Sequence, residues 1–348
     1  MQAVQLSSGD LVADRRASYA EMLFGGGDRN AAADLMREAL SLVPGWAAGW
    51  FRLGEMLSDD GRTAEAADAF REVLRLDPAD RLGATLKLGL LGVVGGVDAP
   101  PPGFVEALFD QYAPEFDAAL VGKLGYRVPE LLAAALDAAT DGSFAHLVDL
   151  GCGTGLMGER LARRVSFLEG VDISARMLKR AEAKGIYGRL VKADLNFAEI
   201  PAGTDLVTAA DVFMYVGALD ALVARIAAAL PRGGVFAFSV ERHEGPESFV
   251  LRPSCRYAHS ESHVRGLLAQ NGFDILSLDR ATIRMDRGEP LEGLIVVARL
   301  SLPLEGQCLH WTHAVPVEEE VESSVEHVVG FGEALGAPVE AGEIVADR

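Results

Sequence analysis

The chain has 348 residues, a formal charge of −19, and 49% apolar against 24% charged residues. At roughly 100 to 200 residues per domain this length calls for two folded domains, with a composition able to bury a core. Fifty-one acids against 32 bases make a field that repels phosphate backbones, which argues against nucleic acid as a partner. Cys152, Cys255 and Cys308 are odd in number and far apart, so they suit a reducing compartment rather than a disulfide framework. The N-terminus lacks a basic segment followed by an apolar run, and no uncharged apolar stretch reaches the roughly 18 residues of a membrane span. A cytoplasmic chain without membrane contact is expected.

Comparing the chain with itself at an offset of 34 places Tyr19-Ala20 on Leu53-Gly54, Ala32-Ala33 on Ala66-Ala67, Leu40 on Leu74 and Pro44 on Pro78. Each copy reads as a helix hairpin: small Gly54 and Ala66 sit where helices approach closely, Phe70 fills the groove, and a proline stops the second helix. Trp50, Leu53, Gly54, Ala66, Phe70 and Pro78 resemble the tetratricopeptide repeat in spacing. Two hairpins bury little, so residues 81–91 are expected to cap the array or dock on the next domain. Gly95-Gly96-Val97-Asp98 and the following Ala-Pro-Pro-Pro cannot continue a helix and mark a linker.

From about residue 145 the pattern becomes short apolar runs alternating with amphipathic ones: HLVDL, FLEGVDI, RLVKAD, DLVTAADVF and GGVFAFSV, most followed by a helical stretch. Alternating β and α units predict a parallel sheet covered on both faces. The last runs, FDILSL and LIVVARL, have no helix between them and read as an antiparallel hairpin. After Ser301, ten acids face one base, so nine of the nineteen excess negative charges lie in a separate, solvated tail.

The run Val148 to Gly155 places a glycine loop between a strand and a helix, where backbone amides can approach a ligand. Gly153, Gly155 and Gly158 also fit the dinucleotide pattern, so the loop alone does not decide between ligands. Four features in chain order decide: Asp149 within VDLGCGTG, then GVDIS with Met177 and Leu178, then KADL, then TDLV leading to Asp211. Together they resemble the Rossmann-like S-adenosylmethionine-dependent methyltransferases. The resemblance implies that Asp149 lies near the donor's ammonium and that Gly151, Gly153 and Gly155 line its methionine portion. It implies Asp172, with Ile173 and Met177, at the ribose; Asp194 and Leu195 at the adenine; and Asp211 at the strand end facing the transferred methyl. The donor's ammonium, hydroxyls and amine are all hydrogen-bond donors, and carboxylates at successive strand ends complement them. Asp205 reads as a strand-start turn residue and Cys152 as a small packing residue.

Phe109 to Asp117 resembles the segment that closes over the donor in many such enzymes, with Tyr112 its candidate contact; packing of Phe109, Tyr112 and Phe116 on the sheet is the alternative. Residues 251–260 read as a loop overhanging the donor, and its Arg256, Tyr257 and His259 are the catalytic candidates. Arg252, Arg256, His259 and Arg284 would gather positive charge where the acceptor sits, so a small anionic acceptor is expected. Ser260 capping a helix, with His259 merely packed, is the competing account. The whole most resembles predicted bacterial methyltransferases carrying tetratricopeptide repeats, distantly similar to trans-aconitate and biotin-pathway methyltransferases. It departs from them in Cys255, where glycine is expected, and in the tail.

The expected fold is therefore α/β: a doubly wound, mostly parallel seven-stranded sheet with a C-terminal antiparallel strand, preceded by an all-α repeat module. The expected division is 1–12 flexible, 13–95 repeats, 96–102 linker, 103–300 transferase domain and 301–348 acidic tail. No metal is expected, since Cys308, His310 and His313 match no common zinc spacing. A protein partner or self-association through the repeats is expected. The competing classes are a nicotinamide- or nucleotide-sugar-binding enzyme, a methyltransferase acting on a protein brought by the repeats, and an interaction protein with a non-catalytic sheet domain.

Overall fold

The computed structural model describes residues 6–301 apart from 118, 119, 121 and 123. The acidic tail and Cys308, His310 and His313 lie outside the described residues.

The N-terminal array consists of α1 (Leu11–Gly25), α2 (Arg29–Leu42), α3 (Ala47–Asp59), α4 (Thr63–Leu76) and the short α5 (Ala84–Leu90). Asp10 starts α1 by accepting the Val12 and Ala13 amides, each at 2.8 Å. The hairpins turn at Gly27 and Gly61, with φ of 87° and 75°, where a side chain would be strained. Ala32, Ala33, Met36, Leu53, Ala66 and Phe70 form the array's core. Gly54 is required by close approach: a Cβ there would sit 2.6 Å from Cε1 of Phe70. Residues 81–91 contribute α5, which the linker follows into the sheet domain. The Val97 carbonyl accepts the Tyr257 hydroxyl at 2.7 Å, and the Asp98 carbonyl accepts the Gly217 and Ala218 amides, each at 2.9 Å.

The second part begins with α6 (Pro102–Tyr112) and α7 (Val128–Ala139) and continues through β1 (Phe144–Leu150), α8 (Leu156–Leu161), β2 (Val165–Asp172), α9 (Ala175–Ala183), β3 (Arg189–Lys192) and β4 (Leu206–Ala209). It is completed by α10 (Asp220–Ala229), β5 (Val235–His243), β6 (Phe249–Leu251), β7 (Tyr257–Ser260), α11 (Glu261–Gln270), β8 (Phe273–Asp286) and β9 (Glu289–Leu300). Strands β3-β2-β1-β4-β5 are parallel neighbours; β9 lies antiparallel on β5, and β8 antiparallel on β9. These seven strands are the expected ones; β7 and β6 bring the observed sheet to nine strands. Strand alternation explains its two covered faces: Phe236 and Phe238 point into one core with Leu222, Val223 and Ile226 of α10, while Val235 and Ala237 point into the other with Leu132 and Leu136 of α7.

Two segments differ from expectation. The strand read through DLVTAADVF stops at Ala209, because Asp211 takes φ of 58° and a single 3₁₀ turn, Phe213–Tyr215, follows. The loop expected over 251–260 narrows to 252–256. Its flanks form β6 and β7, and β7 extends the sheet beside Arg242 and His243 of β5. Cys255, in the remaining turn, has φ of 59°, a conformation that favours glycine.

Gly54→Val drives a branched side chain into the Phe70 ring and is expected to destabilise the array by about 2 kcal/mol. The urea midpoint of the helical circular-dichroism signal measures this; an unchanged midpoint would show that Phe70 moves aside freely.

Candidate active site

A cavity of about 430 Å³ opens at the C-terminal ends of β1, β2 and β4, where β1 lies between strands reached in opposite directions along the sheet. Its floor holds Asp149, Gly151, Gly153, Asp172, Ile173, Asp194, Leu195 and Asp211; its roof is α6, with Phe104, Leu108 and Tyr112; Arg256 stands at one wall. Ten of the fourteen residues singled out in the sequence thus meet around one space.

Asp172 closes β2 and is held from both sides: Oδ2 accepts the Gly153 amide at 2.9 Å and Oδ1 the Ser174 amide at 2.8 Å. Two amides orient the carboxylate and leave lone pairs directed elsewhere. Asp149 is buried within β1, with Oδ1 accepting the Thr208 hydroxyl at 2.8 Å and Oδ2 the Tyr187 hydroxyl at 2.9 Å. Burial pushes both acids up to about 6, against the pull of these donors. Asp194 accepts the Asn196 amide at 2.8 Å, an Asx turn that fixes it beyond β3. The floor is a row of carboxylates suited to a ligand rich in hydrogen-bond donors and carrying a positive charge.

Helix α6 buries none of its residues fully, because its apolar side chains face the cavity. Polar contacts pin the roof to the floor: Ser174 Oγ donates to Asp110 at 2.6 Å, Thr154 Oγ1 donates to Asp117, and Lys192 pairs with Glu106 at 2.8 Å. Tyr112 stays 54% exposed while lining the space, and Phe109 packs edge-on against Phe116 and Tyr215.

Four singled-out residues lie outside the cavity wall. Gly155 and Met177 do not line it: a Cβ on Gly155 would meet the Tyr187 ring at 2.9 Å, and Met177 is a buried residue of α9. Tyr257 is buried with its hydroxyl spent on Val97. His259 is also buried, its Nε2 2.9 Å from the Gly217 carbonyl and its ring near Phe249 and His263. Burial lowers its pKa to about 4, so it is neutral and packed. Both are corrected from catalytic to structural positions: β7 turns them into the sheet instead of leaving them on a loop.

The expected cationic patch is also corrected. Arg284 is buried between Asp211 and Glu241, and Arg252 pairs with Glu241 at 3.3 Å. Arg256 remains, with Asp286 at 3.7 Å and partly exposed. The acids that neutralise these arginines come from the turn after β4, from β5 and from β8, far apart in sequence, so no local signal showed them. Thr208 and Tyr187 were likewise missed, because their value lies in contacts with Asp149 across 59 and 38 residues of chain. Among the described residues, no group of three or more histidine, cysteine or acidic side chains is placed to hold a metal ion. Nor is any helix among them long and apolar enough to cross a membrane.

Residues 147–234 match the family model of a methyltransferase domain, and residues 47–80 that of a tetratricopeptide repeat. An uncharacterized methyltransferase of Mycobacterium tuberculosis is 34% identical over 107 residues, covering 30% of this chain and 54% of the relative. A trans-aconitate 2-methyltransferase of Paracidovorax citrulli is 39% identical over 113 residues, covering 31% and 44%. The chain spans about half the length of these curated relatives. The solved structure of the [4+2]-cyclase SpnF superposes with a TM-score of 0.50 at 17% identity, covering 60% of this chain and all of that one. That likeness concerns the fold, which hosts more than one chemistry.

The buried acids make a prediction about stability. Asp149 keeps its proton to about pH 6 when folded but releases it near 4 when unfolded, so its ionisation costs folding free energy as pH rises from about 4 to 6. The flanking hydroxyls can reorient toward an amide. Ligand-free Asp149→Asn is therefore expected to exceed the parent in stability by up to about 3 kcal/mol at pH 7.5, and to lose that advantage at pH 4. Thermal denaturation at the two pH values tests this; an equal difference at both would refute it.

Proposed function

We propose that this chain, a repeat module (13–95) joined through 96–102 to a methyltransferase domain (103–300), is an S-adenosylmethionine-dependent methyltransferase acting on a small acceptor with one anionic group. The observation that carries this reading is the row Asp149, Asp172 and Asp194 along one cavity, each at or just beyond the end of a successive strand. When bound, S-adenosylmethionine supplies a methyl group on a sulfonium, open to in-line displacement by an acceptor lone pair. Asp149 faces the ammonium, Asp172 takes the ribose hydroxyls, and Asp194 takes the adenine amine beside the Leu195 backbone. A pyrophosphate-bearing dinucleotide fits poorly, because two buried acids without an interposed cation would repel it.

The acceptor is placed by α6 and the 252–256 turn. Phe104, Val105, Leu108, Phe109 and Met214 offer an apolar wall, and Arg256 offers one guanidinium to a carboxylate. With His259 packed elsewhere, the described cavity lining contains no histidine. A carboxylate oxygen suits such a site, since it is already ionised near neutral pH and needs no proton removed as the methyl arrives. Catalysis then rests on alignment and on exclusion of water by the pinned roof. The linker, fastened at Val97 and Asp98, carries the repeats, and the tetratricopeptide match at residues 47–80 supports a second reading, in which a protein partner held by the repeats is the acceptor.

Two substitutions test the assignment. Asp172→Ala is expected to weaken S-adenosylhomocysteine binding about a hundredfold in a calorimetric titration. Arg256→Gln is expected to raise the acceptor KM at least about tenfold with a smaller change in kcat, once labelled methyl donor and a metabolite extract have identified the acceptor. Unchanged donor affinity in the first variant would overturn the ribose assignment; label found only on protein would favour the second reading.

A further inference from the structure

We propose that Tyr187 is a positioning residue for Asp149: its phenol, seated among three glycines, fixes one oxygen of that carboxylate and keeps it presented as an anion to the cavity. The inference rests on the donor-binding reading above. Tyr187 immediately precedes Gly188 and β3, and it does not line the cavity, so it acts through Asp149. Its ring occupies a place that only glycines leave open. A Cβ at Gly155 would lie 2.9 Å from Cε2, one at Gly158 2.7 Å from Cζ, and one at Gly170 2.8 Å from Cε1. The last two glycines of the dinucleotide-like pattern, and one glycine of β2, thus make room for a tyrosine ring belonging to the chain itself.

That seat aims the hydroxyl. Tyr187 Oη donates to Asp149 Oδ2 at 2.9 Å, and Thr208 Oγ1 donates to Oδ1 at 2.8 Å. Each carboxylate oxygen keeps a further lone pair, and the two donors, one from β4 and one from the segment ahead of β3, set the plane in which those lone pairs lie. The titratable and charged groups facing Asp149 are Asp172 from β2, Cys152 from the glycine loop, Tyr126 ahead of α7, and Tyr187 itself. None of these is a cation. Against burial and the negative charge of Asp172, the two hydroxyls are what favours the ionised form of Asp149. Burial and the charge of Asp149 raise the Tyr187 phenol far above its ordinary range, so it remains a donor at every accessible pH.

The test compares the full chain with Tyr187→Phe, Asp149→Asn and the double variant, titrating S-adenosylhomocysteine calorimetrically between pH 5.5 and 8. The parent should lose affinity as pH falls through about 6. Phenylalanine keeps the ring in its seat but removes the donor, so the loss should begin about one pH unit higher. Tyr187→Phe should therefore bind roughly fivefold more weakly than the parent at pH 6 and nearly as tightly as the parent at pH 8. In the Asp149→Asn background the same change should add nothing, since the coupled partner is gone. Gly158→Ala, which retains the hydroxyl but displaces it, should move the profile in the same direction. Coincident profiles of the parent and Tyr187→Phe, or an equal loss at every pH, would overturn the positioning role while leaving donor binding in place. Failure of the parent to bind at any pH would overturn the donor reading and this inference together.

Discussion

The site depends on two carboxylates buried side by side without a cation between them. Asp149 and Asp172 stand at the ends of adjacent strands, where burial opposes their charge and raises both toward neutrality. They persist because each is given donors: hydroxyls for Asp149, backbone amides for Asp172. The Gly153 amide bonded to Asp172 ties the glycine loop to β2, so the loop's shape and the acid's orientation are one arrangement. A binding site that would be more stable with neutral side chains marks where stability has yielded to function.

Across the cavity the opposite solution is used. Arg284 is fully enclosed, and although burial opposes its charge, Asp211 and Glu241 outweigh burial and keep it protonated. The same bonds hold Asp211 in its left-handed conformation and fix the 3₁₀ turn that carries Met214 and Tyr215 to the wall. Arg284 therefore shapes this wall of the cavity, and its charge is already matched. Arg256, on the turn strained at Cys255, stays partly exposed beside Asp286.

The repeat array is integrated with this site through backbone groups. Carbonyls of Val97 and Asp98 accept hydrogen bonds from β7 and from the segment ahead of α10, and Phe104 of the roof covers Gly83 at the start of α5. Helix α6 thus begins where the array ends.

The sequence by itself determined the order and type of most elements, β6 and β7 excepted, because periodicity, glycine turns and the 34-residue repeat are local signals. It also located Asp149, Asp172 and Asp194, since strand ends beside glycine loops and caps are marked within a few residues. What escaped it were properties set by neighbours distant in the chain. His259 and Tyr257 looked reactive on a presumed loop, yet β7 pairs with β5 and turns both inward. Arg284 looked available until the turn after β4 and strand β5 supplied its two acids. Gly155 and Gly158 looked like ligand-binding glycines, while their vacant side-chain space is filled by Tyr187. Which polar groups are free is decided only by tertiary structure, because a hydrogen bond or ion pair joins strands whose separation in sequence leaves no local trace.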